Sequence, residues 1–325
     1  MKIIDLLKRA EEEKRTLFGF ELLPPLKGEG TEGVFRAIDN VMAYNPAYIN
    51  ITFHREGLKK TETAEGVPEY HIVRKRPGTV GIAGAIQRRY GIPAVPHLIC
   101  GGQSKYDIED SLIDMDFLEI DNLLALRGDR RHNELEFQAH PEGHEHAIDL
   151  VRQIVAMNNG EFIDGEVEHK HSSKFCIGVA GYPETHETAF SPEDDIRRLK
   201  QKIEAGAEYV VTQMFFDNEK FFSFVERCRE AEITVPIIPG LKPLVNEKQL
   251  AGLPEIFSIS IPERLREKIM ACNGDRQKVK EAGLQWTIEQ SMELKEQGVP
   301  ALHYYTMSRT ENIARIAAEV FRNSN

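Results

Sequence analysis

Nearly every short apolar run in this sequence ends in a side chain that can hold a proton or grip a polar molecule. Glu21 sits in "TLFGFELL" (16–23), just ahead of Pro24 and Pro25. Thr52 comes near the end of "AYINITF" (47–53), and His97 lies in "IPAVPHLIC" (92–100). Arg127 and Asp129 close "NLLALRG" (122–128) and its continuation. Tyr182 follows "FCIGVAG" (175–181), with His186 beyond it. Gln213 lies in "EYVVTQMFF" (208–216), and Tyr305 in "ALHYYTM" (301–307) with Arg309 just after. A polar group inside an apolar strand is costly unless it has a partner. Taken singly, each has an ordinary explanation: Glu21 could pair with a lysine in a protein floor, and His97 could be a satisfied core histidine. Taken together, carboxylates, imidazoles, a guanidinium, a phenol and an amide at successive strand ends are the ingredients of one site for proton transfer and polar recognition.

Such convergence needs a scaffold. These runs, with "TVPIIPG" (234–240), alternate with longer amphipathic stretches such as "SPEDDIRRLKQKIEAGA" and "KFFSFVERCREAE". Ser191 reads as the N-cap of the first stretch, Pro192 as its first helical residue and Gly206 as its C-cap. Strands separated by helices signal parallel βαβ units, and runs apolar on both faces fit a sheet covered on both sides. An open doubly wound sheet could hold them. Their even spacing, with no shift in composition, favours an α/β fold of the closed (β/α)8 TIM-type barrel. In that fold the carboxyl ends of all strands share one mouth. The pattern adds an N-terminal helix with Ile3, Ile4, Leu7 and Ala10 on one face. It also adds loop insertions after the fourth strand (130–146) and before the fifth (159–174). Residues 241–300 read as helical material before the last strand.

The composition narrows the function. The chain has 325 residues, 41% of them apolar and 29% charged, with a net charge of −11. An acidic chain without a basic excess is not built to bind nucleic acid or a membrane surface. No apolar run approaches the ~18 residues of a membrane span, and the charged N-terminus does not read as a signal peptide. The four cysteines, Cys100, Cys176, Cys228 and Cys272, form no CxxC. They are expected reduced and buried in a cytoplasmic protein.

Four motifs carry less weight. "GEGTEG" (28–33) spells a dinucleotide fingerprint, but Pro24 to Lys27 intervene after the strand and no acid follows the next strand to hold a ribose. It reads as a loop with a helix starting near Thr31. The histidines of "HPEGHEH" (140–146) have soft spacing and no cysteine, which fits a solvated loop better than a metal site. Arg127-Gly128-Asp129 spells an adhesion tripeptide, a role that would need export and exposure. The Phe-rich "FFDNEKFFSF" reads as core.

The ordered set "FGFELLPP", "NITF", "VPHLIC", "ALRGD", "VAGYPETH", "EAGAEYVVTQMFFD", "IIPGLKPL" and "HYYTMSR" resembles the methylenetetrahydrofolate reductases, the short bacterial kind most closely, from about residue 16 to the end. Each motif alone is weak and the ordered set is specific. The resemblance implies a single FAD-binding (β/α)8 catalytic domain over 1–325. It implies reduction of 5,10-methylenetetrahydrofolate to 5-methyltetrahydrofolate with NADH or NADPH by ping-pong turnover, in one-carbon metabolism and methionine supply. It also implies a cytoplasmic homo-oligomer with folate and NAD(P)H as its small-molecule partners, no nucleic acid, no membrane and no metal. No room is expected for an S-adenosylmethionine-sensing domain.

Residue by residue, Glu21 resembles the family's general acid. Opening the folate's imidazolidine ring requires a proton on N10, and a carboxyl whose pKa burial has raised can donate one. Asp129 resembles the acid near flavin and pterin, where negative charge favours the cationic iminium. Gln213, Gln249 and Arg309 match folate-binding positions, as Asp129 does, with Gln213 also expected near the nicotinamide. Thr52, Phe53, His97, Arg127, Gly128, Asp129, Ala147, Tyr182, His186 and Ala189 match flavin-contacting positions. Asp195 and Lys202 match positions along the ribityl and diphosphate, where Arg and Lys must supply counter-charge without a glycine-rich loop, and Arg198, though it replaces other polar residues there, is expected to bind the cofactor with them. The chain departs from the family at Leu22-Leu23, His54, Arg55, His146, Arg198, Gln201 and Leu253, which bears on the flavin rim, the adenine end and the nucleotide preference. Two other readings stay open: another flavin barrel, such as a proline-dehydrogenase-like oxidase, and a metal-dependent barrel using His140, His144 and His146.

Overall fold

A computed structural model describes residues 1–63, 65–130, 134, 136–165, 171–306 and 309–322. In chain order its strands are β1 (Leu17–Leu22), β2 (Tyr48–Ile51), β3 (Gly57–Glu62), β4 (Pro68–Val73), β5 (Ala94–Ile99), β6 (Asn122–Leu126), β7 (Cys176–Gly181), β8 (Tyr209–Met214), β9 (Ile237–Leu241) and β10 (Ala301–Tyr305). Eight of them close a barrel in the order β1-β10-β9-β8-β7-β6-β5-β2. Every barrel pairing is parallel. Each apolar run named above supplies one of these strands, so the barrel expectation holds.

Helices cover the outside: α1 (Ile3–Glu12), α2 (Glu32–Asp39), α3 (Thr79–Tyr90), α4 (Lys105–Phe117), α5 (Ala147–Asn158), α6 (Pro192–Glu204), α7 (Asn218–Glu230), α8 (Gln249–Phe257), α9 (Glu263–Met270), α10 (Arg276–Glu296) and α11 (Thr310–Val320). Local chemistry marks their starts. Ser191 accepts from the Asp194 amide at the head of α6, with Pro192 next. Ser104 and Asp107 form a reciprocal capping box on α4. At the far end of α6 the capping residue is Ala205, one residue earlier than the expected Gly206, which follows at φ +122°. No helix among the described residues is long and apolar enough to cross a membrane.

The core has two main layers. The outer one packs strand against helix, with Phe18, Phe20, Ile49, Leu98, Val179, Phe215 and Ile313 among its members. The inner one fills the lumen with Leu17, Tyr48, Val95, Leu124, Cys176, Tyr209, Ile238 and Ala301, and it includes Ile3, Ile4, Leu7 and Ala10 of α1. The N-terminal helix therefore plugs the amino-terminal end of the barrel with the face its sequence marks as apolar. Asn122 secures it, accepting from the Ile3 amide at 2.7 Å and donating to the Met1 carbonyl at 2.9 Å. Lumen packing alternates bulk with its absence. A Cβ on Gly178 would stand 2.3 Å from the Tyr209 ring, so only glycine leaves that ring its place.

One element escaped the sequence reading. β3 and β4 pair antiparallel as a hairpin between β2 and α3, outside the barrel. "GLKKTE" and "PEYHIV" are too polar and too short of alternation to stand out. Within the described part of 130–146 there is no strand before α5 begins, as expected of a loop; residues 131–133 and 135 lie outside the description. Of the stretch 159–174, residues 166–170 likewise lie outside it, as do Met307 and Ser308 of "HYYTMSR". "GEGTEG" forms a turn into α2, which begins at Glu32.

Candidate active site

The carboxyl ends of the barrel strands surround a cavity of about 1640 Å³. Its walls include Glu21, Thr52, Phe53, His97, Arg127, Gly128, Asp129, Ala147, Tyr182, His186, Asp195, Arg198, Lys202, Gln213, Gln249 and Arg309. Every site residue expected from the sequence is thus brought to one mouth except Ala189. Ala189 stands off the wall and donates its amide to the His186 carbonyl at 2.9 Å, so it shapes the loop instead.

Glu21 lies deepest on the β1 side. It is only 8% exposed. Burial pushes its carboxyl up to about 7, against the pull of Lys242. Glu21 pairs in register with Asn50 on one side and Tyr305 on the other. The Asn50 amide lies 3.2 Å from His97 Nε2. Burial, assisted by His54, holds His97 down to about 3, so the imidazole stays neutral and accepts from that amide. One row below, the Tyr48 and His303 rings stack with centroids 5.8 Å apart. Tyr48 Oη, Asn50 Oδ1 and His303 Nδ1 are buried without a hydrogen-bond partner among the described residues. Of these residues His303 lines the cavity, as His97 does, so polar groups face it here as at the rim. The Tyr305 hydroxyl donates to the Thr212 carbonyl at 2.5 Å.

At the end of β6, Gly128 adopts φ +84°, and a Cβ there would also stand 3.1 Å from Ile99. The turn places Arg127 and Asp129 on the wall. The Arg127 guanidinium lies 5.0 Å from the Phe137 ring centroid, and Arg55 lies 5.9 Å from the same ring. Arg55 also ion-pairs with Glu134 at 3.5 Å and donates to the carbonyls of Asp129 and Gln138, both at 3.4 Å. Thr52 donates from Oγ1 to the Leu22 carbonyl at 3.2 Å, joining the ends of β1 and β2.

The opposite wall is cationic. Asp195 accepts from the His186 amide at 2.8 Å and ties the loop after β7 to α6. The Tyr182 and His186 rings meet edge to face at 4.5 Å. Lys202 donates to the Ala180 carbonyl at 2.7 Å, and burial draws its ammonium down to about 8. Arg198 ion-pairs with Asp194 at 2.8 Å. Gln249 accepts from the Val245 and Asn246 amides at 2.8 and 3.0 Å, fixing the start of α8. Gln213 accepts from the Met214 amide at 2.9 Å.

The sequence reading missed Lys242 and underrated Arg55. Lys242 follows β9 directly and lines the cavity. It supplies the polar residue lacking at the seventh strand end, and the strand-end rule applied to "GLKPL" would have found it. Among the described residues no group of three or more metal-binding side chains converges. His144 instead lies 2.5 Å from Gln153, and His140 accepts from the Glu142 amide at 3.2 Å.

Chemically, the cavity pairs an acid titrating near neutrality with a wall of cations, and its volume exceeds the ~300–1,000 Å³ typical of one drug-sized ligand. Comparison with known proteins agrees with that arrangement. The family model for methylenetetrahydrofolate reductase matches residues 6–320. A protein of Oryza sativa subsp. japonica, "Probable methylenetetrahydrofolate reductase (NADH)", is 31% identical over 317 residues, covering 95% of this chain and 48% of its own. The "5,10-methylenetetrahydrofolate reductase" of Pectobacterium carotovorum subsp. carotovorum is 30% identical over 304 residues, covering 93% of this chain and 89% of its own. The chain thus spans about half the length of the plant and yeast relatives and most of the bacterial one. Among solved structures, "Uncharacterized protein from Clostridium thermocellum binds two copies of 5-methyl-5,6,7,8-tetrahydrofolic acid" superposes with a TM-score of 0.54 at 15% identity, over 97% of this chain and 98% of that one, which speaks for the fold. With a family model spanning residues 6–320, nearly the whole chain, the protein belongs to the methylenetetrahydrofolate reductase family.

Proposed function

We propose that this protein reduces 5,10-methylenetetrahydrofolate to 5-methyltetrahydrofolate with a pyridine nucleotide, through bound FAD. The observation that carries the reading is Glu21, a carboxyl buried in the cavity wall whose pKa burial raises to about 7. Ring opening of the folate consumes one proton, and an acid poised near the working pH gives it up most effectively. The family membership supports the substrate. Relatives with NADH and with NADPH in their names support a pyridine nucleotide donor.

The walls fit the cofactor. Lys202 and Arg198 would hold its diphosphate, with Asp195 fixing the loop beside them. Thr52, Phe53, His97, Arg127, Gly128, Ala147, Tyr182 and His186 would enclose its ring system. When bound, FAD supplies hydride transfer between the nicotinamide and the folate. Gln213, Gln249 and Arg309 would orient the folate, and Asp129 would favour the cationic form of its one-carbon unit. Nucleotide and folate would use the same space in turn. On this reading residues 1–325 act as one catalytic domain in a cytoplasmic homo-oligomer. Four free thiols, three of them buried, suit a reducing compartment.

The test is the visible spectrum of the purified protein, recorded before and after NADH and then after methylenetetrahydrofolate. Bleaching by the first and recovery with the second are expected. Glu21→Gln should keep the bleaching and lose the recovery; equal loss of both sinks the acid role. A protein that oxidises NADH with menadione but never with the folate belongs instead to another class of flavin barrel.

A further inference from the structure

Lys242 occupies a place that the functional reading leaves unassigned. The barrel runs β1-β10-β9 at this edge. Glu21 pairs with Tyr305 across the first junction, and Tyr304 pairs with Leu241 across the second. Continuing the register by one residue puts Lys242 level with Tyr305. Glu21, Tyr305 and Lys242 therefore form one row. Neighbouring strands lie ~4.8 Å apart, so the Glu21 and Lys242 backbones stand roughly 10 Å apart. A lysine stem spans much of that gap, and both residues line the same cavity. The phenol between them donates its proton to the Thr212 carbonyl.

The other ionisable groups around this row are accounted for. His97 on β5 and His303 on β10 are buried and held down to about 3, hence uncharged. Tyr305 is held protonated by burial. Arg309, before α11, pushes against Lys242. His54 and Asp129 lie on the rim beyond β2 and β6. The charge that acts on Glu21 is that of Lys242, and it opposes burial.

We propose that Lys242 is a positioning residue for the acid step, its ammonium stabilising the carboxylate that Glu21 becomes on releasing its proton. This rests on the functional reading above. In that step the Glu21 O–H bond breaks as an N10–H bond forms on the folate's lone pair. The C–N10 bond then breaks, its electron pair stays on N10, and the N5 lone pair closes the iminium. No electron is gained or lost until hydride arrives. Burial alone would keep the proton on Glu21; the neighbouring ammonium makes it available.

The experiment titrates Glu21 directly. Protein carrying glutamate labelled with ¹³C at the side-chain carboxyl is followed by NMR, with the Glu21 resonance identified by its loss in E21Q. In K242M the midpoint should rise by roughly one pH unit, the size expected of a charge at this range. K242R should stay near wild type. The alkaline limb of folate reduction should move upward with the midpoint in K242M, and the plateau rate should fall by roughly tenfold. An unmoved or lowered midpoint overturns the proposal, as does a moved midpoint with an unmoved rate profile. If K242M does not fold, K242Q takes the same test. A wild-type protein that never reduces the folate, yet shows the K242M shift, overturns the functional reading and the acid-step role while leaving the charge coupling standing.

Discussion

Lys202 reaches from α6 to the carbonyl of Ala180 at the end of β7, 2.7 Å away, and this one contact anchors a buried cation in the cavity wall. Burial draws its ammonium down to about 8. An anionic group bound beside it would favour the charged form and raise that value. Binding above pH 8 must then take up a proton. Cofactor affinity should be flat below about pH 7 and should fall above 8, by at most ~10-fold per unit. Lys202→Met should bind more weakly and lose this dependence. Flavin titration of the apoprotein across pH measures both, and an equally steep fall in Lys202→Met would remove Lys202 from the cofactor site.

Glu21 carries a stability cost. Its folded pKa of about 7 stands above the ordinary 4.5. Below pH 4.5 both folded and unfolded chains hold the proton and nothing is lost. Above it the unfolded chain releases the proton first, so the penalty grows with pH and is complete above about 7. A shift of this size corresponds to roughly 3 kcal/mol. Glu21→Gln should therefore be more stable than wild type at pH 8, by about that amount relative to the comparison at pH 4.5. Urea unfolding of the apoprotein at both pH values checks it. A stability difference that does not change with pH would mean the carboxyl is not protonated in the folded state.

Asp129 sits on the wall beside Gly128, where the backbone turns at φ +84°. If its charge supports the cationic one-carbon unit, Asp129→Asn should slow folate reduction by at least ~10-fold, since a charge at short range in a site of lowered dielectric is worth more than 1 kcal/mol. Single-turnover rates with folate are the measurement. An unchanged rate would remove the electrostatic role.

The barrel was legible because each of its strands is an apolar run bounded by turn residues, and the site was legible because polar residues at those strand ends contradict the pattern around them. Glu21, His97 and Gln213 stand out in this way. Lys242 did not, since it lies two residues past the run "TVPIIPG"; carrying the strand-end rule on into "GLKPL" finds it, and the register puts it level with Tyr305. The hairpin β3–β4 was hidden for a different reason. It pairs outside the barrel, and its residues lack the alternation that marks a half-buried strand. Arg55 lies between these cases: its identity marked it as a departure, but its partners come from the loop after β6 and no local pattern encodes them.

Those partners give Arg55 a testable task. Its side chain is 13% exposed and reaches Glu134 and the carbonyls of Asp129 and Gln138. It also lies along Gly101 and Gly102, where a Cβ would come within 3.2 Å of the Arg55 side chain. The ends of β2, β5 and β6 are thus joined by one guanidinium at the cavity rim. Arg55→Ala removes these links and takes one of the two guanidiniums from the Phe137 ring, leaving that of Arg127. The stretch 136–146 should then open more often, since local opening follows the loss of local contacts. Limited proteolysis within that stretch should quicken, and flavin should be held roughly tenfold less tightly, an effect in the usual range for an interaction worth about 1.4 kcal/mol. Unchanged cleavage and unchanged flavin affinity would show that the loop keeps its place without Arg55.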